Sequence, residues 1–174
     1  MVNISINFIK QLKKQILSSR YIVAKIANAE SLKLYFTIGK LIEEQFAEQK
    51  WGSKIIDDIS MRLQQELPGL RGFSGQNLRK MRVFYQEWNS SNTIYSSMTS
   101  KLEEKNNPIL PSLTSKLDDN ENITRYRKNK EAFLSVSFTH HYEIILKIKN
   151  KNDRWYYINK NALPKPDDLK KFLD

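Results

Sequence analysis

The sequence predicts a mainly α-helical protein, with a long N-terminal helical segment, a helix-turn-helix core, a loop-rich insertion and C-terminal helices. Three stretches predict this class. Apolar residues follow helical spacing from Ile4 to about Gln49, on both sides of a glycine-containing break within residues 53–88, and in short segments after residue 139. The 174 residues suit a single domain. Its predicted parts are residues 1–50, 53–88, 89–122 and 123–174.

The N-terminal segment carries an apolar stripe at near-heptad spacing. Its members are Ile9, Leu12, Ile16, Val23, Ile26, Leu34, Ile38 and Leu41. Such a stripe must pack on the rest of the domain or on a partner; core packing is favoured, and the two can coexist. Ser18-Ser19 leaves open whether one helix or two span the segment. Gly39 costs about 1 kcal/mol relative to Ala within a helix, which predicts a close approach of another helix there.

Residues 53–88 have the layout of a helix-turn-helix, with Pro68-Gly69 and Gly72 at the turn. Ser53 and Ser74 are expected to cap the two helices, because a serine hydroxyl can accept from a first-turn amide. The predicted buried residues are Ile55, Ile56, Ile59, Leu63 and Leu67 in the first helix, and Leu78, Met81, Phe84 or Tyr85, and Trp88 in the second. The residues expected to face solvent are Gln76, Arg79, Lys80 and Arg82.

Residues 89–122 change composition abruptly to Ser, Asn, Thr and two prolines, which predicts a loop-rich insertion. A β-hairpin wing is the functional alternative, although the segment lacks clean strand alternation. After it, the predicted elements are a short extended piece within Phe133–Phe138, a helix from His140 to about Lys149 capped by Ser137 or Thr139, a helix over Asp153–Asn159, and a short charged end over 167–174.

The formal charge of +10 and the pI near 9.7 favour polyanionic partners: DNA, RNA or an anionic membrane surface. No stretch approaches 18 consecutive apolar residues, and the N-terminus lacks a signal-peptide pattern, so we expect no membrane span and a cytoplasmic location. The chain has no cysteine, which excludes disulfides and cysteine-ligated metals. Charge changes sign along the first segment, from Lys10, Lys13, Lys14, Arg20 and Lys25 to Glu43, Glu44 and Glu48.

Patterns typical of catalysis are weak. His140 and His141 are adjacent, so on a helix they point about 100° apart and cannot chelate one metal as an i, i+4 pair does. No GxSxG or glycine-rich phosphate loop is present. Adjacent acids such as Asp57-Asp58 diverge on a helix, whereas metal-dependent nucleases need convergent carboxylates. We therefore expect a protein without catalytic residues, metal site or cofactor.

The basic residues are the stronger functional signal. Between Arg71 and Arg82 the sequence has four cations and no acid. Such side chains neutralise phosphates, and Arg or Gln can bind base edges in the major groove. An ordinary solvated helix face is the alternative. The predicted nucleic-acid-binding residues are Arg71, Gln76, Asn77, Arg79, Lys80 and Arg82, with a second backbone contact at Arg125, Arg127 and Lys128.

Three runs also carry a family resemblance: LYFTIGKLIEEQ (Leu34–Gln45), the pattern GFSxxNLxxM ending at Met81, and SFTHHYEIILKIKNKNDRWYYI (Ser137–Ile158). Together they resemble the N-terminal domain of the YhcG-type proteins, a bacterial family. The resemblance implies a helical, winged-helix-like domain, usually followed by a PD-(D/E)XK nuclease domain. It also implies roles with DNA in processing, recombination or defence against foreign DNA.

The sequence ends at Asp174 without such a nuclease module, so we expect DNA binding and not cleavage. The expected function is a non-catalytic DNA-binding module that is associated with a nuclease domain or subunit. The alternative is a protein-interaction or oligomerisation domain, including a homo-oligomer, that uses the apolar stripe between Ile9 and Leu41.

Overall fold

The computed structural model describes residues 5–49, 54–90 and 120–161, without the side chains of residues 49, 120–126 and 161. Helices and turns make up these ranges, and no strand occurs within them, so the mainly α class is confirmed. The helices are α1 (Ile6–Gln49), α2 (Ile55–Glu66), α3 (Gly75–Trp88), α4 (Asn120–Ser135), α5 (Phe138–Lys147) and α6 (Lys151–Asn161). The predicted charged end and nearly all of the predicted insertion, with its alternative wing, lie outside the described residues. The winged-helix likeness stays a prediction.

α1 is one continuous helix of 44 residues, about 66 Å long, and Ser18-Ser19 does not interrupt it. Its core contacts come from Leu32, Phe36 and Ile42, which are buried. Seven of the eight residues in the predicted stripe are instead 44–62 % exposed. Core packing of this stripe was therefore the wrong expectation, except at Ile38, which packs against the core. Periodicity locates an apolar face but does not say which face meets the rest of the chain.

The turn between α2 and α3 contains two glycines in the left-handed region, Gly69 with φ +85° and Gly72 with φ +89°, where other residues are strained. Ser74 is the N-cap of α3 and accepts a hydrogen bond from the backbone N of Asn77 at 3.3 Å, as predicted. The N-cap position of α2 is Lys54, which makes no side-chain cap bond. The predicted cap at Ser53 is therefore wrong in position, and Ser53 lies outside the described residues.

α3 is the central helix, with its most extensive contact to α1 and further contacts to α2 and α5. At its crossing with α1, a Cβ on Gly39 would overlap the carbonyl oxygen of Met81, so the predicted close approach is confirmed. The core has two clusters. The larger contains Leu32, Phe36, Phe84, Trp88, Ala132, Phe133, Val136, Ile144, Ile145 and Ile158, and the smaller contains Ile42, Ile56, Leu78 and Met81.

α5 and α6 each begin two residues before the predicted starts at His140 and Asp153, and α4 was not predicted as a helix. α4 continues through Ser135 and α5 starts at Phe138, so only Val136 and Ser137 lie between the helices and the extended piece predicted within Phe133–Phe138 is wrong. Within this run Phe133, Ser135 and Val136 are buried, a pattern that does not alternate. Ser137 caps α5 by accepting from the backbone N of His140 at 3.3 Å, which confirms one of the two predicted caps.

Candidate nucleic-acid interface

α3 presents a narrow strip to solvent because α1, α2 and α5 cover its other sides. Its three exposed residues are Gln76, Arg79 and Gln86, whose spacings of three and seven place them on one side of the helix. Lys80 and Arg82 flank them and are half-buried. We call these five residues the α3 face. It consists entirely of amide, guanidinium and ammonium groups, the donors that bind phosphates and base edges.

Arg79 is held in place by an ion pair with Asp57 in the first turn of α2. Both side chains are substantially exposed, 43 % for Arg79 and 59 % for Asp57. An exposed pair of this kind contributes about 0–1 kcal/mol, so the guanidinium can exchange the carboxylate for a phosphate at small cost. The pair therefore orients Arg79 without sequestering it.

Arg82 is fixed more firmly. Its Nε donates to Oε2 of Glu43 on α1 at 2.5 Å, its guanidinium carbon lies 3.9 Å from the ring centroid of Phe46, and Gln86 donates to the same carboxylate oxygen at 2.8 Å. Burial raises the pKa of Glu43, but hydrogen bonds from Arg82 and Gln86 and the charge of Arg82 outweigh it, so the net shift is downward. Arg82 therefore joins α3 to α1 as well as adding charge to the α3 face.

The remaining predicted residues of this segment lie around the start of α3. Arg71 is exposed in the preceding turn. Asn77 is half-buried, and its Nδ2 donates to the carbonyl oxygen of Gly72 at 3.1 Å, so its amide stabilises the turn. The Lys80 ammonium lies 5.2 Å from the ring centroid of Tyr142 on α5. The predicted residues from 71 to 82 therefore lie on α3 or in the turn before it, and the amide of Asn77 stabilises that turn.

The second predicted cluster lies elsewhere, on α4. Arg127 and Lys128 are exposed there, whereas the side chain of Arg125 is not among those described. Lys128 borders a cavity of about 780 Å³ between α4 and α6, whose other lining residues are Asn129, Asn152, Trp155, Tyr156 and Asn159. Aromatic faces, amides and an ammonium group are the usual contacts of unstacked bases.

The α6 side of this cavity was missed at the sequence level. Asn152, Trp155, Tyr156 and Asn159 follow one another at spacings of three, one and three, which places them on one side of a helix. Asn152 lies before the helix predicted over Asp153–Asn159, but the pattern formed by Trp155, Tyr156 and Asn159 was visible in the sequence. The cavity itself was not, because Lys128 and Asn129 come from α4, and nothing in the sequence says that these two helices pack together.

The chain matches the family model of the DUF1016 N-terminal domain over residues 11–165. The chain belongs to this family. It is the YhcG-type N-terminal domain family that the sequence motifs indicated. The match spans both the α3 face and the cavity between α4 and α6. No curated protein and no solved structure matched the chain.

The histidines of this DUF1016 N-terminal domain do not form a site. His141 is fully buried, its Nε2 lies 2.9 Å from the carbonyl oxygen of Phe133, and burial lowers its pKa to about 4. Nδ1 of His140 lies 2.7 Å from the hydroxyl of Ser137.

Across the described ranges, no group of three or more His, Cys, Asp or Glu is placed to hold a metal ion. In the same part of the chain, no helix is both long and apolar enough to cross a bilayer.

Proposed function

We propose that this DUF1016 N-terminal domain is a cytoplasmic, non-catalytic DNA-binding module, and that the α3 face contacts the DNA. The composition of that face carries the proposal, because every exposed residue of α3 is Gln or Arg. Arg and Gln can form paired hydrogen bonds with base edges, and Arg or Lys neutralise phosphates. The formal charge of +10 adds a long-range attraction to any polyanion.

In this proposal some residues of the α3 face contact the DNA, and others hold α3 in its orientation. Arg79 and Gln76 on α3, and Arg71 in the preceding turn, are exposed and would contact DNA. Arg82 is tied to Glu43 and would mainly hold α3 in its orientation. DNA contact would place a phosphate in competition with Asp57 for Arg79.

We further propose that the domain holds DNA for a nuclease domain or subunit and does not cut it. The YhcG-type resemblance supports this division, since nuclease domains usually follow domains of this kind. Incubating the purified chain with supercoiled and linear DNA in the presence of Mg²⁺ or Mn²⁺ tests it. We expect intact DNA, and divalent-dependent cleavage that co-purifies with the chain would overturn this part of the proposal.

Duplex binding measured by fluorescence anisotropy over a salt series tests the α3 face. Affinity should fall linearly on a log–log plot against salt, with a slope of roughly 0.9 per neutralised phosphate. R79Q should weaken binding and reduce the slope by about 1. R62Q removes the same charge from an exposed site on α2 and is the control. Equal losses in R79Q and R62Q would show that total charge, and not the α3 face, determines binding.

A further inference from the structure

α1 has two apolar sides, and one of them is uncovered by the described residues. Each residue of a helix turns the side-chain direction by about 100°, so Leu32, Phe36 and Ile42 project toward the core while Leu34 and Leu41 project to the other side. The uncovered residues are Ile9, Leu12, Ile16, Val23, Ile26, Leu34 and Leu41, each 44–62 % exposed. We call them the α1 stripe. Aligned exposed apolar residues over this length are typical of an association surface.

The N-terminal end of α1 is exposed on every side. All residues from 5 to 16 are exposed, whereas Lys25 and Asn28 are the first to form hydrogen bonds with α4 or the bend after it, among the residues described. A helix in water without packing is marginally stable over such a length. A partner that covers the α1 stripe would stabilise this end.

The charges of α1 point to a second copy of this chain and to one orientation. Residues 6–26 contain five Lys or Arg and no acid, whereas residues 27–49 contain two Lys and four Glu, of which Glu43 is already paired with Arg82. Two parallel α1 helices would place the two cationic halves side by side, and like charges in contact disfavour association. Two antiparallel helices would instead place each cationic half against the acidic half of the other.

We propose that the α1 stripe is a homodimer interface in which the two α1 helices pack antiparallel. The available area fits, since the stripe from Ile9 to Leu41 is about 48 Å long, and a strip about 11 Å wide then covers roughly 530 Å² on each copy. The two copies together bury about 1,060 Å², just above the roughly 1,000 Å² expected of a biological interface. Full overlap of the stripe brings Ile9 against Leu41 of the partner subunit. The two-fold axis then crosses α1 near residue 25.

The absence of cysteine from the sequence makes the orientation directly testable. Light scattering at tens of micromolar should give twice the 20.5 kDa mass of the chain. After mild oxidation, a mixture of I9C and L41C chains should give a mixed disulfide, because a disulfide requires Cα atoms within about 7 Å. I9C alone should not cross-link, because the two copies of residue 9 would lie about 48 Å apart along the helix.

Paired variants test the surface itself. I16D with V23D should reduce the measured mass to 20.5 kDa, because charges would be buried in the interface. M61D changes a residue on α2 with a similar exposure of 54 % and should remain dimeric. Circular dichroism and tryptophan fluorescence report whether each variant stays folded. A monomeric wild-type chain, efficient cross-linking of I9C alone, or dissociation of M61D would overturn the proposal.

Discussion

Gly39 on α1 lies against the backbone carbonyl of Met81 on α3, with no space for a side chain between them. G39A should therefore destabilise the fold by about 1–3 kcal/mol through overpacking, even though Ala favours a helix by about 1 kcal/mol over Gly. Urea unfolding followed by circular dichroism measures the difference. E44A, at an exposed position on the same helix, should change the free energy of unfolding by less than about 0.5 kcal/mol. A stabilised G39A would show that α1 and α3 are not in such close contact.

Arg154 on α6 is buried and joins α6 to α3. Its Nη1 donates to Oε2 of Glu87 at 2.7 Å, and its Nε donates to the carbonyl oxygen of Ile148 at 2.6 Å. R154M should lower the free energy of unfolding by about 1–3 kcal/mol, because it leaves the Ile148 carbonyl and the Glu87 carboxylate, which is itself 32 % exposed, without their donor.

A double-mutant cycle separates the ion pair from the other bonds of Arg154. R154M and E87Q together should cost less than the sum of the two single changes, because their coupling is counted once. Strict additivity would show that Arg154 acts through the Ile148 carbonyl and its packing, and not through Glu87.

His141 gives the stability of the domain a defined pH dependence. Burial lowers its pKa from 6.5 to about 4, a shift that the hydrogen bond to Phe133 opposes and the charge of His140 reinforces. His141 of the unfolded chain therefore takes up a proton near pH 6.5, whereas in the folded chain it stays neutral down to about pH 4. The free energy of unfolding is therefore constant well above pH 6.5 and falls as the pH drops from 6.5 toward 4, by about 1 kcal/mol between pH 6.5 and pH 5.5.

Urea unfolding at pH 8, 6.5 and 5.5 tests this dependence, in a range where carboxylates contribute little. H141F should flatten the dependence whatever its absolute stability, because the titrating group is gone. H140Q removes only the minor contribution of the His140 charge and should retain most of the wild-type slope. An unchanged slope in H141F would assign the effect to another group.

Local signals predicted much of the fold. The glycine-containing turn, the caps at Ser74 and Ser137 and the close approach at Gly39 depend on neighbouring residues or on a single side chain, and the structure confirms each. The side on which α1 packs was not predictable, because α1 has apolar residues on two sides. Which of them meets α3 depends on residues far along the chain.

The candidate site also contains features that the sequence predicted and features that it did not. The cations of α3 were visible in the sequence, but the acids that orient them were not. Asp57 is 22 positions from Arg79, and Glu43 is 39 positions from Arg82. Absence of acids between Arg71 and Arg82 therefore did not mean absence of acids around them. Folding brings these carboxylates, which are distant in sequence, next to the cations of α3, and the pair with Glu43 makes Arg82 a link between α3 and α1.

The ion pair between Arg79 and Asp57 provides the most direct test of DNA binding through the α3 face. D57N removes the competing carboxylate, and D58N removes an equal charge from the exposed neighbouring residue. Duplex affinity of both variants should be measured by anisotropy at one salt concentration. The proposal predicts tighter binding by D57N than by D58N, and loss of that difference when R79Q is added to both. Equal affinities of D57N and D58N, or no duplex binding by the wild-type chain, would contradict it.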